Sequence, residues 1–98
     1  MKTTIQTPDF KATQELLDFV DAKVQRLEHI NDRIIEAKVC LKLDKSATRD
    51  NKICEIRMVI PGNDLFVERK SHSFEIAATE AADAVKHQIV KWKEKLKE

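Results

Sequence analysis

The stretch that decides the fold runs from residue 73 to residue 98 and reads SFEIAATEAADAVKHQIVKWKEKLKE. Its apolar side chains recur with the 3.6-residue period of an α-helix and fall within an arc of roughly 100°, the width of a core-facing stripe. The pattern predicts one amphipathic helix that buries this stripe against the rest of the chain. The stripe consists of Phe74, Ala78, Ala81, Ala82, Val85, Ile89, Trp92 and Leu96.

Charge is unevenly distributed along this predicted helix. Acids occupy its first half, and from residue 86 onward five lysines stand against two glutamates. The helix macrodipole favours such a gradient, and lysine stems often cover apolar edges, so the gradient can be purely structural. The same density of lysines suits the neutralisation of several phosphates together. Two rows of lysine border the stripe, with Lys86, Lys93 and Lys97 on one flank and Lys91 and Lys95 on the other.

Length and composition indicate one compact domain. The chain has 98 residues, of which 42% are hydrophobic, with one Gly and two Pro, so we expect a single core without a linker. Lysine and arginine together number 18 against 17 acids, so binding to nucleic acid would depend on where the charges lie and not on an excess. Neither a signal-peptide pattern nor an apolar run of about 18 residues occurs, and we expect a cytoplasmic protein without membrane association.

Upstream of the helix, the sequence predicts five further elements. Residues 1–7 favour a short strand, and residues 13–30 have helical period with Thr13 placed as the N-cap. Residues 35–44, 52–60 and 65–70 alternate between apolar and polar side chains, which predicts three strands with one buried face, Ile35 being the first inward residue. Residues 61–64 form a strong turn signal, and Ser73 can cap the final helix.

This order predicts an α+β fold, β-α-β-β-β-α, with a four-stranded mixed sheet. A right-handed crossover puts the first helix on one sheet face, and the final helix needs the same apolar face, so we expect both helices there. The opposite face carries Lys38, Lys42 and Arg57 and is left to water or a partner. Cys40 and Cys54 fall on opposite faces, so a disulfide between them is not expected.

Motifs for catalysis or cofactor binding are missing from the sequence. A single Gly excludes both the Gly-rich phosphate loop and the dinucleotide fingerprint. His29, His72 and His87 have no metal-ligand spacing, and no Ser–His–acid trio is recognisable. We therefore expect no enzyme, no cofactor, no metal site and no small-molecule substrate. Trp92 lies in the middle of the stripe, which favours a core anchor over base stacking.

Three segments carry a resemblance to a known family: FVDAKVQRLEHINDRI (19–34), AKVCLKLDK (37–45) and QIVKWKEKLKE (88–98). Together with the order of elements, they resemble the ribosome hibernation promoting factor and ribosome-associated inhibitor family, also called the sigma-54 modulation or S30EA family. The fold of that family agrees with the predicted order and resembles the double-stranded-RNA-binding domain. The resemblance implies a short member, with one ribosome-binding domain over residues 1–98 and no C-terminal dimerisation domain.

The resemblance also implies a function. Such proteins bind the small ribosomal subunit and its rRNA between head and body, in the channel for mRNA and tRNAs, and inhibit translation under stress or in stationary phase. The chain would be a monomer off the ribosome and would contact rRNA phosphates, which position without reading sequence. Ala84 and His87 stand where the family has basic residues, and Lys86 adds a charge. The rRNA contacts that the resemblance implies are Lys23, Arg26, Arg33, Lys42, Lys91, Lys93, Lys95 and Lys97, and the lysine rows of the final helix add Lys86 as a further predicted contact.

A protein-binding regulatory module, such as a modulator of a sigma factor, is the alternative function. The mixed-charge surface suits a protein partner as well as it suits RNA. Salt dependence separates the two, because phosphate contacts predict binding that falls steeply with salt, whereas a protein interface is less consistently salt-sensitive.

Overall fold

The computed structural model describes residues 1–46 and 48–95, and these residues form six elements in the predicted order. Leu96 and Lys97, which were assigned to the end of the final helix, lie outside the described residues. The order confirms the β-α-β-β-β-α prediction. The elements are β1 (Lys2–Gln6), α1 (Gln14–Glu28), β2 (Glu36–Leu43), β3 (Lys52–Ile60), β4 (Asn63–Ser71) and α2 (Phe74–Lys95).

The four strands form one mixed sheet in the order β1-β2-β3-β4. β1 runs parallel to β2, and the other neighbours are antiparallel, so α1 is the crossover that a parallel pair requires. β3 and β4 meet in a hairpin in which Ile60 lies opposite Asn63. The turn is therefore Pro61-Gly62 alone, shorter than the predicted turn over residues 61–64, and Gly62 takes a φ of +82° that side-chain-bearing residues rarely adopt.

Both helices begin at the predicted cap residues. The Thr13 hydroxyl accepts a hydrogen bond from the Leu16 backbone N–H at 3.2 Å, and the Ser73 hydroxyl accepts one from the Ile76 N–H at 3.1 Å. Each bond satisfies one of the N–H groups that the first turn of a helix leaves without an internal partner. Both N-cap predictions are confirmed.

A single core lies between the two helices and one face of the sheet. The buried residues of α1 and α2 belong to the same cluster as the inward residues of β2, β3 and β4, which confirms that both helices cover one face. Trp92 is half-buried at the edge of this cluster and Ala77 is fully buried, although the predicted stripe included Trp92 and omitted Ala77. The largest fully buried side chains are Leu41, Ile56, Met58, Ile89, Val20, Val24, Val39, Val85 and Cys54.

The prediction that Ile35 points into the core is wrong. Its side chain is 55% exposed, and the neighbouring Ile34 is buried instead. β2 begins only at Glu36, so Ile35 lies before the regular alternation of the strand. Alternation within β2 then proceeds as predicted, with Ala37, Val39 and Leu41 buried.

The two cysteines lie on opposite faces of the sheet, as predicted. Cys54 is fully buried in the core, whereas Cys40 lines a shallow groove on the face that the helices leave open. Both thiols are free. Burial raises the pKa of the Cys54 thiol to about 12, so this group serves as a small apolar side chain.

Candidate nucleic-acid interface

The two helices lie side by side and run in the same direction. Phe19 and Ile76 line one depression near the starts of the helices, while Lys93, near the end of α2, contacts Ile30 just beyond the end of α1. The C-terminal halves of both helices therefore lie together. Since both macrodipoles point the same way, this end of the helix layer is the favourable one for cations.

Three predicted site residues meet in a depression between the C-terminal halves. Lys23 and Arg26 come from one flank of α1, where side chains three apart are neighbours, and Lys86 comes from the flank of α2 that faces them. Leu27 and Ile30 also line this depression, as does Asp83, which sequence analysis did not place there. The spacing of Asp83 to Lys86 (i, i+3) was the signal that could have found it. Three cations thus surround a site with one carboxylate.

Lys93 lies farther along the same flank of α2. Its Nζ donates a hydrogen bond to the backbone carbonyl of Ile30 at 3.4 Å. Ile30 follows the C-cap residue His29, so the ammonium lies near the negative end of the α1 dipole, where cations are favoured. Glu28 and Asp32 line a second depression together with Lys93. Lys93 therefore has a structural contact in addition to any contact with a ligand.

The second lysine row lies on the opposite flank of α2. Lys91 and Lys95 are exposed there, on the side where Gln88 donates from Nε2 to the backbone carbonyl of Phe66 at 3.3 Å. That bond ties α2 to the edge strand β4. The described part of α2 thus has one lysine row towards α1 and one towards β4, and Lys97 lies outside the described residues.

The basic side chains of the helix layer differ from those of the sheet in their partners. Within residues 1–46 and 48–95, no ion pair involves any of the predicted site lysines or arginines on α1 or α2. On the open sheet face, Lys42 Nζ lies 3.2 Å from a Glu55 oxygen, and Arg57 lies 3.5 Å from Asp64. A third pair joins Lys70 to Asp44 at 3.0 Å beside that face.

Two predicted site residues are not brought to the helix layer. Lys42 lies on the open sheet face, where its hydrogen bond to Glu55 and the charge of that carboxylate raise its pKa. Arg33 is exposed in the loop between α1 and β2, where its N–H donates to the Asn31 side chain at 2.9 Å. Their rRNA contacts stay predictions, as do those of every other predicted site residue.

The open sheet face holds a feature that sequence analysis missed. Phe66 is 43% exposed, and the Arg57 guanidinium carbon lies 5.1 Å from its ring centroid. Strand alternation already pointed Arg57 outward, but its aromatic partner depends on the β3–β4 register, which the sequence alone did not give. Arg57 therefore has two partners, the Phe66 ring and the Asp64 carboxylate.

Two features are absent from the part of the chain that the structure describes, a metal-binding group and a membrane-spanning helix. There, no three His, Cys, Asp or Glu side chains group in a way that could hold a metal ion. Neither described helix is long and apolar enough to cross a membrane.

Comparison with known proteins relates the chain to one family. The profile of the family "Sigma 54 modulation protein / S30EA ribosomal protein" matches residues 3–97. A ribosome hibernation promoting factor of Klebsiella oxytoca is 26% identical over 98 residues, which is 100% of this chain and 99% of that protein. One of Pseudomonas putida is 28% identical over 95 residues, covering 97% of this chain and 89% of its own.

Solved structures agree with this relationship. The N-terminal domain of Protein Y from Thermus thermophilus superposes with a TM-score of 0.80 at 25% identity, covering 94% of this chain and 99% of that domain. A ribosomal subunit interface protein from Coxiella burnetii gives a TM-score of 0.84 at 16% identity over 95% of this chain and 98% of its own, a likeness of fold alone. Because the profile spans nearly all of its residues, this chain belongs to the Sigma 54 modulation protein / S30EA ribosomal protein family.

Proposed function

We propose that this protein is a ribosome hibernation factor that binds the rRNA of the small ribosomal subunit. It would occupy the channel for mRNA and tRNAs and block translation under stress or in stationary phase. The family and the names of the relatives support ribosome hibernation. The observation that carries the rRNA contact is the set of basic side chains at the C-terminal end of the helix layer that form no ion pair among the described residues.

Unpaired lysine and arginine side chains matter because the chain has a formal net charge of only +1. A lysine or arginine already paired with a carboxylate must give up that partner, or share it, before a phosphate can gain from it. An unpaired lysine contributes its full charge and releases condensed counterions from the RNA. The arrangement of charge thus supplies what the total charge does not.

Lys23, Arg26 and Lys86 would form one phosphate site between the helices, because they converge on the same depression. Lys91 and Lys95, on the other flank of α2, would contact a second stretch of backbone. Contacts of this kind fix position and orientation and carry no sequence information. Inhibition would follow from occupation of the channel, with no catalytic step.

The test is co-sedimentation of the purified chain with small ribosomal subunits in sucrose gradients at increasing salt. We expect the chain to migrate with the subunits at low salt, to be lost steeply as salt rises, and to compete with mRNA and tRNA. Binding that tolerates salt and ignores both competitors would contradict the proposal. The same gradients run with whole ribosomes show whether a dimer peak forms.

A further inference from the structure

An apolar groove lies at the other end of the helix layer, where both helices begin. We call it the helix-start groove and define it by Leu16 and Phe19 of α1 and Ile76 and Thr79 of α2. Phe19 is 36% exposed and Ile76 is 38% exposed, although both are large apolar side chains. The two are adjacent in one depression, so they form a patch and not isolated exposed residues.

Acidic side chains surround this groove. Glu15, Glu75 and Glu80 line it, and none of them forms an ion pair within residues 1–46 and 48–95. The macrodipole accounts for acids in the first turns of helices, as with Glu15 and Glu75. It does not account for Phe19 and Ile76 remaining exposed between those acids.

Two nearby features limit what can bind there. RNA is disfavoured, because three free carboxylates would face its phosphates. Beside the groove lies a basic side chain, Lys23, whose Nζ is 5.4 Å from the centroid of the Phe19 ring and which also lines the basic depression. Lys23 therefore marks the boundary between an acidic, apolar half and a basic half of the same surface.

We propose that the helix-start groove docks a basic polypeptide segment that carries apolar side chains, and that on the ribosome this segment belongs to a protein of the small subunit. Aliphatic side chains of the segment cover Phe19 and Ile76, while its lysines or arginines reach Glu75, Glu80 and Glu15. The ribosomal source of the segment rests on the proposed function. The docking chemistry rests only on the groove.

The first test uses no ribosomes. A synthetic peptide of lysine, leucine and alanine is titrated into the full-length chain, with the same peptide carrying glutamate for lysine as its control. We expect amide NMR shifts at residues 15–19 and 75–80 with the basic peptide only. Shifts confined to other surfaces, or equal shifts with the acidic peptide, would overturn the proposal that the groove docks a basic segment.

Matched variants sharpen this test. E75Q/E80Q removes two carboxylates from the rim of the groove. It should lower the affinity for the basic peptide by roughly five- to tenfold, which is the value of two exposed ion pairs. E68Q/E94Q removes the same charge elsewhere on the surface and should change affinity less than about twofold. Ile76→Ser should also weaken binding while leaving the charge intact. Equal affinity of E75Q/E80Q and E68Q/E94Q would show general electrostatic attraction and would overturn docking at this site.

The second test identifies the partner on the ribosome. A benzophenone amino acid placed at Phe19 or, in a separate chain, at Lys86 is cross-linked to bound small subunits. We expect position 19 to label a protein and position 86 to label rRNA. Labelling of rRNA from position 19, or labelling from position 86 alone, would overturn a ribosomal protein as the partner. If the unmodified chain does not co-sediment with subunits, the proposed function fails, and the peptide titration still decides whether the groove binds.

Discussion

The basic side chains of the helix layer and those of the open sheet face differ in their ion-pair partners. On the sheet face, Lys42 is paired with Glu55 and Arg57 with Asp64. In the helix layer, Lys23, Arg26 and Lys86 converge on one depression and form no ion pair among the described residues. Both surfaces carry several cations. Of Lys38, Lys42 and Arg57 on the sheet face, only Lys38 forms no ion pair among the described residues, whereas the helix layer gathers three such cations around one depression.

The difference has a geometric cause. Antiparallel strands bring diagonal neighbours on one face within reach of long side chains, so Lys42 reaches Glu55 and Arg57 reaches Asp64 across the sheet. The two helices instead run in the same direction, and each has acidic residues first and basic residues last. Basic side chains of one helix therefore lie beside basic side chains of the other. A net charge near zero therefore conceals one surface on which most cations are paired and one that is divided into an acidic half and a basic half.

The largest expected effect on binding comes from removing positive charges from the helix layer. K86Q/K91Q/K95Q should weaken binding to small subunits at least about tenfold at moderate salt and reduce the salt slope by about three units, because each lost phosphate contact removes about one. Lys93 is left in place because it also bonds the Ile30 carbonyl. Filter binding at several salt concentrations measures both quantities.

The matched control for this variant is K38Q/R57Q/K70Q, which removes the same charge from the strands. Lys42 is unchanged in both proteins, because the family resemblance assigns it an rRNA contact. The control should bind within about threefold of the parent, since Arg57 and Lys70 are already paired with carboxylates and contribute less to a new partner. If the two variants exchange these results, the interface lies on the strand face around Lys38, Lys42 and Arg57.

A medium effect should separate packing from charge on the same helix. Trp92→Ala should lower the free energy of unfolding by about 2 kcal/mol, less than for a fully buried tryptophan because Trp92 is half-buried. K86Q/K91Q/K95Q should change it by less than about 0.5 kcal/mol, because exposed charges contribute little to folding. Urea unfolding of both variants measures this. A charge variant that unfolds as easily as Trp92→Ala would mean that the lysines chiefly support the fold.

The smallest effect concerns acid. Hydrogen bonds from Ser46, together with the bond and charge of Lys70, hold the pKa of Asp44 at about 2, below its usual 3.8. A carboxyl with a depressed folded pKa stabilises the fold above its unfolded pKa and loses that contribution as pH falls through the folded value. Asp44→Asn should therefore be slightly less stable than the parent at pH 5, with the difference vanishing near pH 2.

Urea unfolding between pH 5 and pH 2 measures this acid effect. The matched comparison is again K86Q/K91Q/K95Q, which keeps Asp44. Its stability difference from the parent should stay constant in this window, because the changed residues have no ion-pair partner among the described residues. An unchanged difference between Asp44→Asn and the parent at pH 2 would contradict the assigned role of Asp44.

Much of the fold follows from local patterns that the sequence by itself determined. Periods of 3.6 and 2 gave the six elements, Thr13 and Ser73 gave the helix starts, and strand alternation placed Cys40 and Cys54 on opposite faces. These features depend on residues a few positions apart, so the information lies within each segment. Ile35 shows the limit, because the residue at which alternation begins depends on how the loop enters the sheet.

Only the tertiary structure decided which charged groups meet. The sequence put Lys23 and Arg26 on one helix flank and Lys86 on another, but their convergence depends on the parallel packing of α1 and α2. Likewise, the pairing of Lys42 with Glu55 depends on the register of β2 and β3. Hydrophobic burial fixes both arrangements, since the buried faces alone determine how the elements dock, and the charges on the outer surfaces take the neighbours that this docking gives them.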